Sequence, residues 1–169
     1  MKKTLFLAAA AAATLLAAGC SSDEPAAASA DSLTVSSAWA KAAESGMTGA
    51  FAELENTGDT DIHIVSAASP SSARTEIHEM AAGDGGAMVM REKADGLVIP
   101  AHSTHSLAPG NDHLMLMDLV EPVLPGTEVT FELTFEDGST TEFTAQVRAC
   151  SGAQENYQPS AGAGANHGG

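Results

Sequence analysis

Glu128-Val129-Thr130-Phe131-Glu132-Leu133-Thr134-Phe135, then Glu136-Asp137-Gly138-Ser139, then, past Thr140, Thr141-Glu142-Phe143-Thr144-Ala145-Gln146-Val147: this stretch reads as two strands joined by a tight turn. The Asp137-Gly138 dipeptide is the hairpin signal, because the turn that suits the twist of paired strands needs residues tolerant of positive φ. The same kind of reading extends outward. Leu33–Trp39, Gly49–Leu54, Ile62–Ala67, Ala73–Met80, Ala87–Glu92, Gly96–Ile99 and Leu114–Leu119 read as further strands, with Glu55–Asp59 as a turn and Pro100–His105 as a bend. Short strands at this spacing, with no amphipathic stretch of helical length, predict an all-β, single-domain antiparallel sandwich or barrel.

The ends of the chain read differently. Residues 1–19 have Lys2 and Lys3 ahead of an apolar run, the pattern of a secretory signal rather than a membrane span. Small residues before Cys20 look like a bacterial lipobox, in which Cys20 is acylated and tethers the chain to a membrane; Ala17 stands where Leu, Val or Ile is preferred. Residues 20–31 are then anchor and flexible tether, 32–148 the folded domain, and 149–169, rich in Gly, Ala and Ser, a disordered tail. The expected location is outside the cytoplasm, on the outer face of the cell membrane or in the periplasm.

The formal net charge is −15, and loss of Lys2 and Lys3 with the signal takes it to about −17. Such a surface repels phosphate backbones and argues against nucleic acid as a partner. With Cys20 acylated, Cys150 has no partner for an intramolecular disulfide. No Ser-His-Asp order, phosphate loop or convincing acid pair marks the chain as an enzyme. Thr75-Glu76 beside His78 is only a weak acid–base signal among so many acids.

Chemistry is concentrated in three short segments. Strand side chains alternate between faces, so Glu76-Ile77-His78-Glu79-Met80 places His78 and Met80 on one face. Ala87-Met88-Val89-Met90-Arg91 does the same for Met88 and Met90. In His113-Leu114-Met115-Leu116-Met117, Leu114 and Leu116 supply the apolar face a half-buried strand needs. The other face carries His113, Met115 and Met117. Methionine usually fills cores, but an imidazole in the same row fits that role poorly. The Gly-rich link Ala81–Gly86 lets the chain reverse, so that His78 and Met80 approach Met88 and Met90.

Thioether and imidazole donors choose the ion. They suit copper(I); calcium, magnesium and manganese want oxygen, and structural zinc wants thiolates or more histidines. A blue-copper electron-transfer site would need a Cys among the ligands, and Cys150 lacks that setting. His63, His102 and His105 read as surface or hydrogen-bonded residues, and His167 as a tail residue that binds copper(II) weakly at most. Met47 is a further thioether near the site.

These segments resemble the PCuAC family of periplasmic copper chaperones. Glu55-Asn56-Thr57-Gly58, Ile77-His78-Glu79-Met80, Met88-Val89-Met90-Arg91, Gly96-Leu97-Val98-Ile99-Pro100-Ala101 and His113-Leu114-Met115-Leu116-Met117 follow in family order. The resemblance runs from Ala38-Trp39-Ala40 to Phe135-Glu136-Asp137-Gly138, nearly the whole domain. It implies a cupredoxin-like Greek-key β-sandwich binding one copper(I). The family motif falls on His78, Met90, His113 and Met115, leaving Met80, Met88 and Met117 as additional thioethers. The interval between Met90 and His113, residues 91–112, is one residue longer than the family spacing. The resemblance further implies delivery of copper to the copper centres of cytochrome c oxidase, with a Sco-type thiol protein as partner. A copper buffer or resistance protein without a dedicated recipient would use the same site.

Overall fold

A computed structural model describes residues 27–83 and 85–149; the signal segment, Cys20, Cys150 and His167 lie outside them. Ten strands account for most of the described chain: β1 Leu33–Lys41, β2 Thr48–Asn56, β3 Ile62–Ala68, β4 Ser72–Ala82, β5 Met88–Glu92, β6 Leu97–Ile99, β7 Thr104–Leu107, β8 His113–Leu119, β9 Glu128–Phe135 and β10 Thr140–Arg148. The architecture is the cupredoxin-like β-sandwich.

The expected hairpin is present: β9 and β10 pair antiparallel from Thr140↔Thr134 to Gln146↔Glu128, and Gly138 takes φ +81° in the turn. In β9, Val129, Phe131, Leu133 and Phe135 are buried while the residues between them are more open, the period-two pattern of a strand with one face on a core. One helical turn, α1 (Ser29–Ser32), precedes β1. It lies in the segment read as tether, yet it is docked: the Ser29 amide donates to Asp137 Oδ2 and the Ala30 amide to Ser139 Oγ.

The strands follow the order β5-β4-β8-β2-β1-β10-β9-β3-β6, with β7 also on β2. This continuous path folds over itself. Ile77 of β4 and Leu114 and Leu116 of β8, from one end, share a single core with Ile62 and Ile64 of β3 and Phe131 and Phe135 of β9, from the other. A bulge between Ser36 and Trp39 in β1, where Ser37 has φ +55°, turns the strand at the fold line. Beyond the bulge Trp39, Ala40 and Lys41 pair with Gln146, Val147 and Arg148 of β10 in parallel, the single departure among the described residues from the expected antiparallel pattern.

Two short readings are corrected. The bend expected over Pro100–His105 contains the start of β7, because Thr104–Leu107 lies against Ala52–Glu55 of β2. Its polar side chains hide it; backbone pairing along the edge of β2 makes it a strand. Glu55 and Asn56, expected in a turn, complete β2, and the turn follows them.

β2 also explains how the functional segment is presented. Its first half, Thr48–Ala50, pairs with β8, and its second half with β7. The two partners therefore succeed one another along one edge. The loop between them is closed by the Ala108 amide bonding the Asp112 carbonyl at 3.0 Å. β8 starts at the residue after that loop, His113.

Candidate metal centre

The central strands bring the sequence-selected residues together. β4 pairs antiparallel with β8, so that His78 lies opposite His113, Glu76 opposite Met115 and Arg74 opposite Met117. β5 pairs with the other edge of β4, setting Met90 opposite Met80. Directly opposed residues share a face. One face of β5-β4-β8 therefore holds His78, Met80, Met90, His113, Met115 and Met117, while Ile77, Leu114 and Leu116 point into the main core.

This face is not a surface. His78, Met90 and His113 are completely buried, and Met115 and Met117 nearly so. Met90, Met115 and Met117 form a second cluster of their own, with Met80 packed at its margin. The His78 and His113 rings meet edge-on with centroids 5.6 Å apart. Phe51, 6.0 Å from the His113 ring, covers one side, and Trp39 lies 4.5 Å behind it. Gly49, opposite Met115 in register, makes room for that wall: a Cβ there would fall 3.0 Å from Phe51 Cζ.

Hydrogen bonds set the ring tautomers. His113 Nδ1 lies 2.8 Å from the Asn111 carbonyl oxygen, which can only accept, so Nδ1 carries the proton. In the neutral ring Nε2 then presents a lone pair, and it faces Met90 Sδ at 2.9 Å. An imidazole nitrogen and a thioether sulfur thus direct lone pairs at one another in a dry pocket, an arrangement that a soft cation relieves.

His78 is held in the opposite sense. Its Nε2 lies 2.7 Å from Glu76 Oε2, and Glu76 Oε1 accepts from Arg74 Nε at 2.6 Å. Burial pushes the His78 pKa below its ordinary 6.5; the Glu76 hydrogen bond raises it by less, and the neighbouring His113 lowers it further. The ring is neutral at pH 7, with Nε2–H donating to Glu76 and the lone pair on Nδ1. Glu76 is the residue of this face that the sequence reading undervalues. Beside His78 it reads only as a weak acid–base signal, although strand alternation puts positions 76, 78 and 80 on one face.

Two further thioethers named from the sequence are placed differently. Met88 is 59% exposed at the start of β5, away from the buried cluster. Met47, just ahead of β2, is also exposed. His63 and His102 are hydrogen-bonded residues, as the sequence predicts: His63 Nε2 bonds the Asp95 carbonyl, and His102 Nε2 lies 2.9 Å from Asp59 Oδ1. Among the described residues no group of three or more His, Cys, Asp or Glu is arranged to hold a metal ion. An ion on this face must therefore draw on sulfur.

Comparison with known proteins gives the family and the fold. Residues 33–147 match the family described as "Putative lipoprotein LpqE-like". The chain is 44% identical over 129 residues to "Putative lipoprotein Lxx21020" of Leifsonia xyli subsp. xyli, covering 76% of this chain and 77% of that one. Among solved structures, the copper(I) form of DR1885 from Deinococcus radiodurans is 31% identical, with a TM-score of 0.51, over 70% of this chain and 81% of that one. The apo PCuAC domain from PmoF1 shares the fold at 21% identity, with a TM-score of 0.58, over 70% of this chain and 95% of that one. The chain belongs to the LpqE-like family.

Proposed function

We propose that the chain is a copper(I) metallochaperone, not an enzyme, that works outside the cytoplasm from a lipid anchor at Cys20. Its cargo is one copper(I) ion held by His78, Met90, His113 and Met115. The observation that carries this reading is the lone pair of His113 Nε2 facing Met90 Sδ at 2.9 Å inside a cluster of buried methionines. DR1885, similar at 31% identity, is described in a copper(I) form. The names of the family and of the Leifsonia relative support the anchor.

The donor set suits carrying rather than catalysis. Thioethers are neutral, need no deprotonation and form no disulfides, so they hold copper(I) in an oxidising compartment without a redox partner of their own. A site of neutral donors leaves the ion's charge only partly compensated, which keeps it exchangeable. Met117 within the cluster and Met80 at its margin offer further sulfurs as the ion leaves. Delivery to the copper centres of cytochrome c oxidase, together with a Sco-type thiol protein, rests on the PCuAC resemblance alone.

Titration with copper(I) against an indicator chelator tests the binding. Wild type takes up the ion; His113→Ala and Met115→Ala lose it while keeping their circular dichroism. Equal binding by all three would sink the proposal. X-ray absorption on the protein loaded with one equivalent of copper(I) should show two sulfur and two nitrogen neighbours, and an oxygen-only shell would refute it.

A further inference from the structure

The buried centre raises a problem of access: His78, Met90 and His113 have no solvent exposure, so an ion must reach them through something. Beside them lies an open pocket of about 280 Å³, whose lining includes Met80, Met88, His105 and Asp112. Two thioethers, an imidazole and a carboxylate thus meet in one place outside the centre already described. His105 Nε2 is shut off from solvent and lies 3.1 Å from Asp112 Oδ2, an ion pair when the imidazole is protonated. The pair sets one nitrogen donor and one oxygen donor side by side on the pocket wall.

The pocket and the buried centre share a wall. Met80 lines the pocket, stands opposite Met90 in register and packs against the Met90–Met115–Met117 cluster. On the other side Asp112 directly precedes His113, and the carbonyl of Asn111, which also lines the pocket, orients the His113 ring. Met88 stands 59% exposed at the outer side.

We infer that this pocket is a second copper(I) site, formed by Met80, Met88, His105 and Asp112, from which the ion is handed through Met80 to the buried centre. The donors again choose the ion: two thioethers and an imidazole favour a soft monovalent cation, and the carboxylate offsets its charge. The transfer is ligand exchange only. Bonds to Met88, His105 and Asp112 break as bonds to Met90 and His113 form, Met80 stays bound across the step, and copper remains copper(I) throughout. Lys93 Nζ, 3.5 Å from Asp112 Oδ2, is the cation the arriving ion displaces from that carboxylate. The loading role, though not the site itself, rests on the copper reading above.

The test uses the folded chain, anaerobic copper(I) and a series of chelators of graded strength, with stopped-flow measurement of loading. Wild type should bind two ions. The double variant Met88→Leu/His105→Gln should bind one, with the affinity of that ion within about twofold of wild type and its loading slowed about tenfold or more, the scale on which a lost supporting ligand acts. The double variant His113→Ala/Met115→Leu should retain the other ion, and lose it when His105→Gln is added. Asp112→Asn alone provides a milder version should the double variant fail to fold. A single ion in wild type, or unchanged stoichiometry and loading in the pocket variants, overturns the inference and leaves the buried centre standing. No copper bound by wild type at all overturns both.

Discussion

His113 Nε2 stands 2.9 Å from Met90 Sδ, with the imidazole held from behind by the Asn111 carbonyl at 2.8 Å. It sets two methionines of one strand in different surroundings. Met90 is fully buried against His113, whereas Met88, two residues earlier, is 59% exposed. Met90→Leu is therefore expected to weaken tight copper(I) binding by at least about tenfold, ~1.4 kcal/mol, while Met88→Leu leaves the tight site unchanged. Leu fills nearly the same volume, so the apo form of Met90→Leu should lose less than ~1.5 kcal/mol of stability. Chelator competition and urea melts on the two variants check this; equal losses of affinity would contradict the assignment.

Glu76 gives a prediction that reads copper affinity and stability together. Its carboxylate fixes the His78 tautomer through Nε2 at 2.7 Å, which puts the lone pair on Nδ1. Such orienting partners are worth about 10–100-fold in metal affinity. Glu76→Leu should lose on that order of copper(I) affinity, and Glu76→Gln less, because the amide oxygen still accepts the Nε2–H. Apo stability should fall in Glu76→Leu by about 1–3 kcal/mol, because the buried His78 Nε2–H is left without an acceptor, and by less in Glu76→Gln. A purely structural Glu76 would show the lower melting temperature with normal copper affinity.

What was legible in the sequence was local, and what was not was long-range. Alternation alone places His113, Met115 and Met117 on one face and Leu114 and Leu116 on the other, because it depends only on neighbours in one strand. The Gly-rich link likewise foretells the β4–β5 hairpin. That His78 lies opposite His113 depends on β4 pairing with β8, far along the chain, and no local pattern encodes it. The parallel contact of β1 with β10 is hidden for the same reason. β7 escaped because an edge strand of Thr, His and Ser carries no hydrophobic signal. The undervalued part of the site, Glu76, is a charged residue whose burial only tertiary pairing reveals.

The buried, neutral His78 also sets a pH dependence. Its folded pKa is depressed below the unfolded value of 6.5, first by burial, with Glu76 only partly compensating. Above 6.5 both states are neutral and the group has no effect on the slope. As pH falls below 6.5 the unfolded chain takes up the proton first, so stability declines until the folded pKa is reached and then levels off. Urea unfolding from pH 7.5 to 5 should show this decline in the apo protein and a shallower one in His78→Asn. Identical slopes in the two proteins would rule out His78 as the source.

The last prediction concerns the end of β2. Asn56 is wholly buried; its Nδ2 lies 2.8 Å from the Thr60 carbonyl, 3.0 Å from that of Ile99 and 3.1 Å from that of Pro100, and its Oδ1 accepts from the Gly58 amide. One amide thereby ties the turn after β2 to the end of β6, using both of its hydrogens and its oxygen. Asn56→Ala strands these groups and should cost ~2–4 kcal/mol, at about 1–3 kcal/mol for each buried group left without a partner. Asn56→Asp should be worse despite its closer shape, because a carboxylate has no hydrogen to donate and sets negative oxygens against three carbonyls. Thermal melts of the two variants at pH 7 decide it. If the aspartate variant melts above the alanine variant, the hydrogen bonds from Nδ2 are not what holds this corner together.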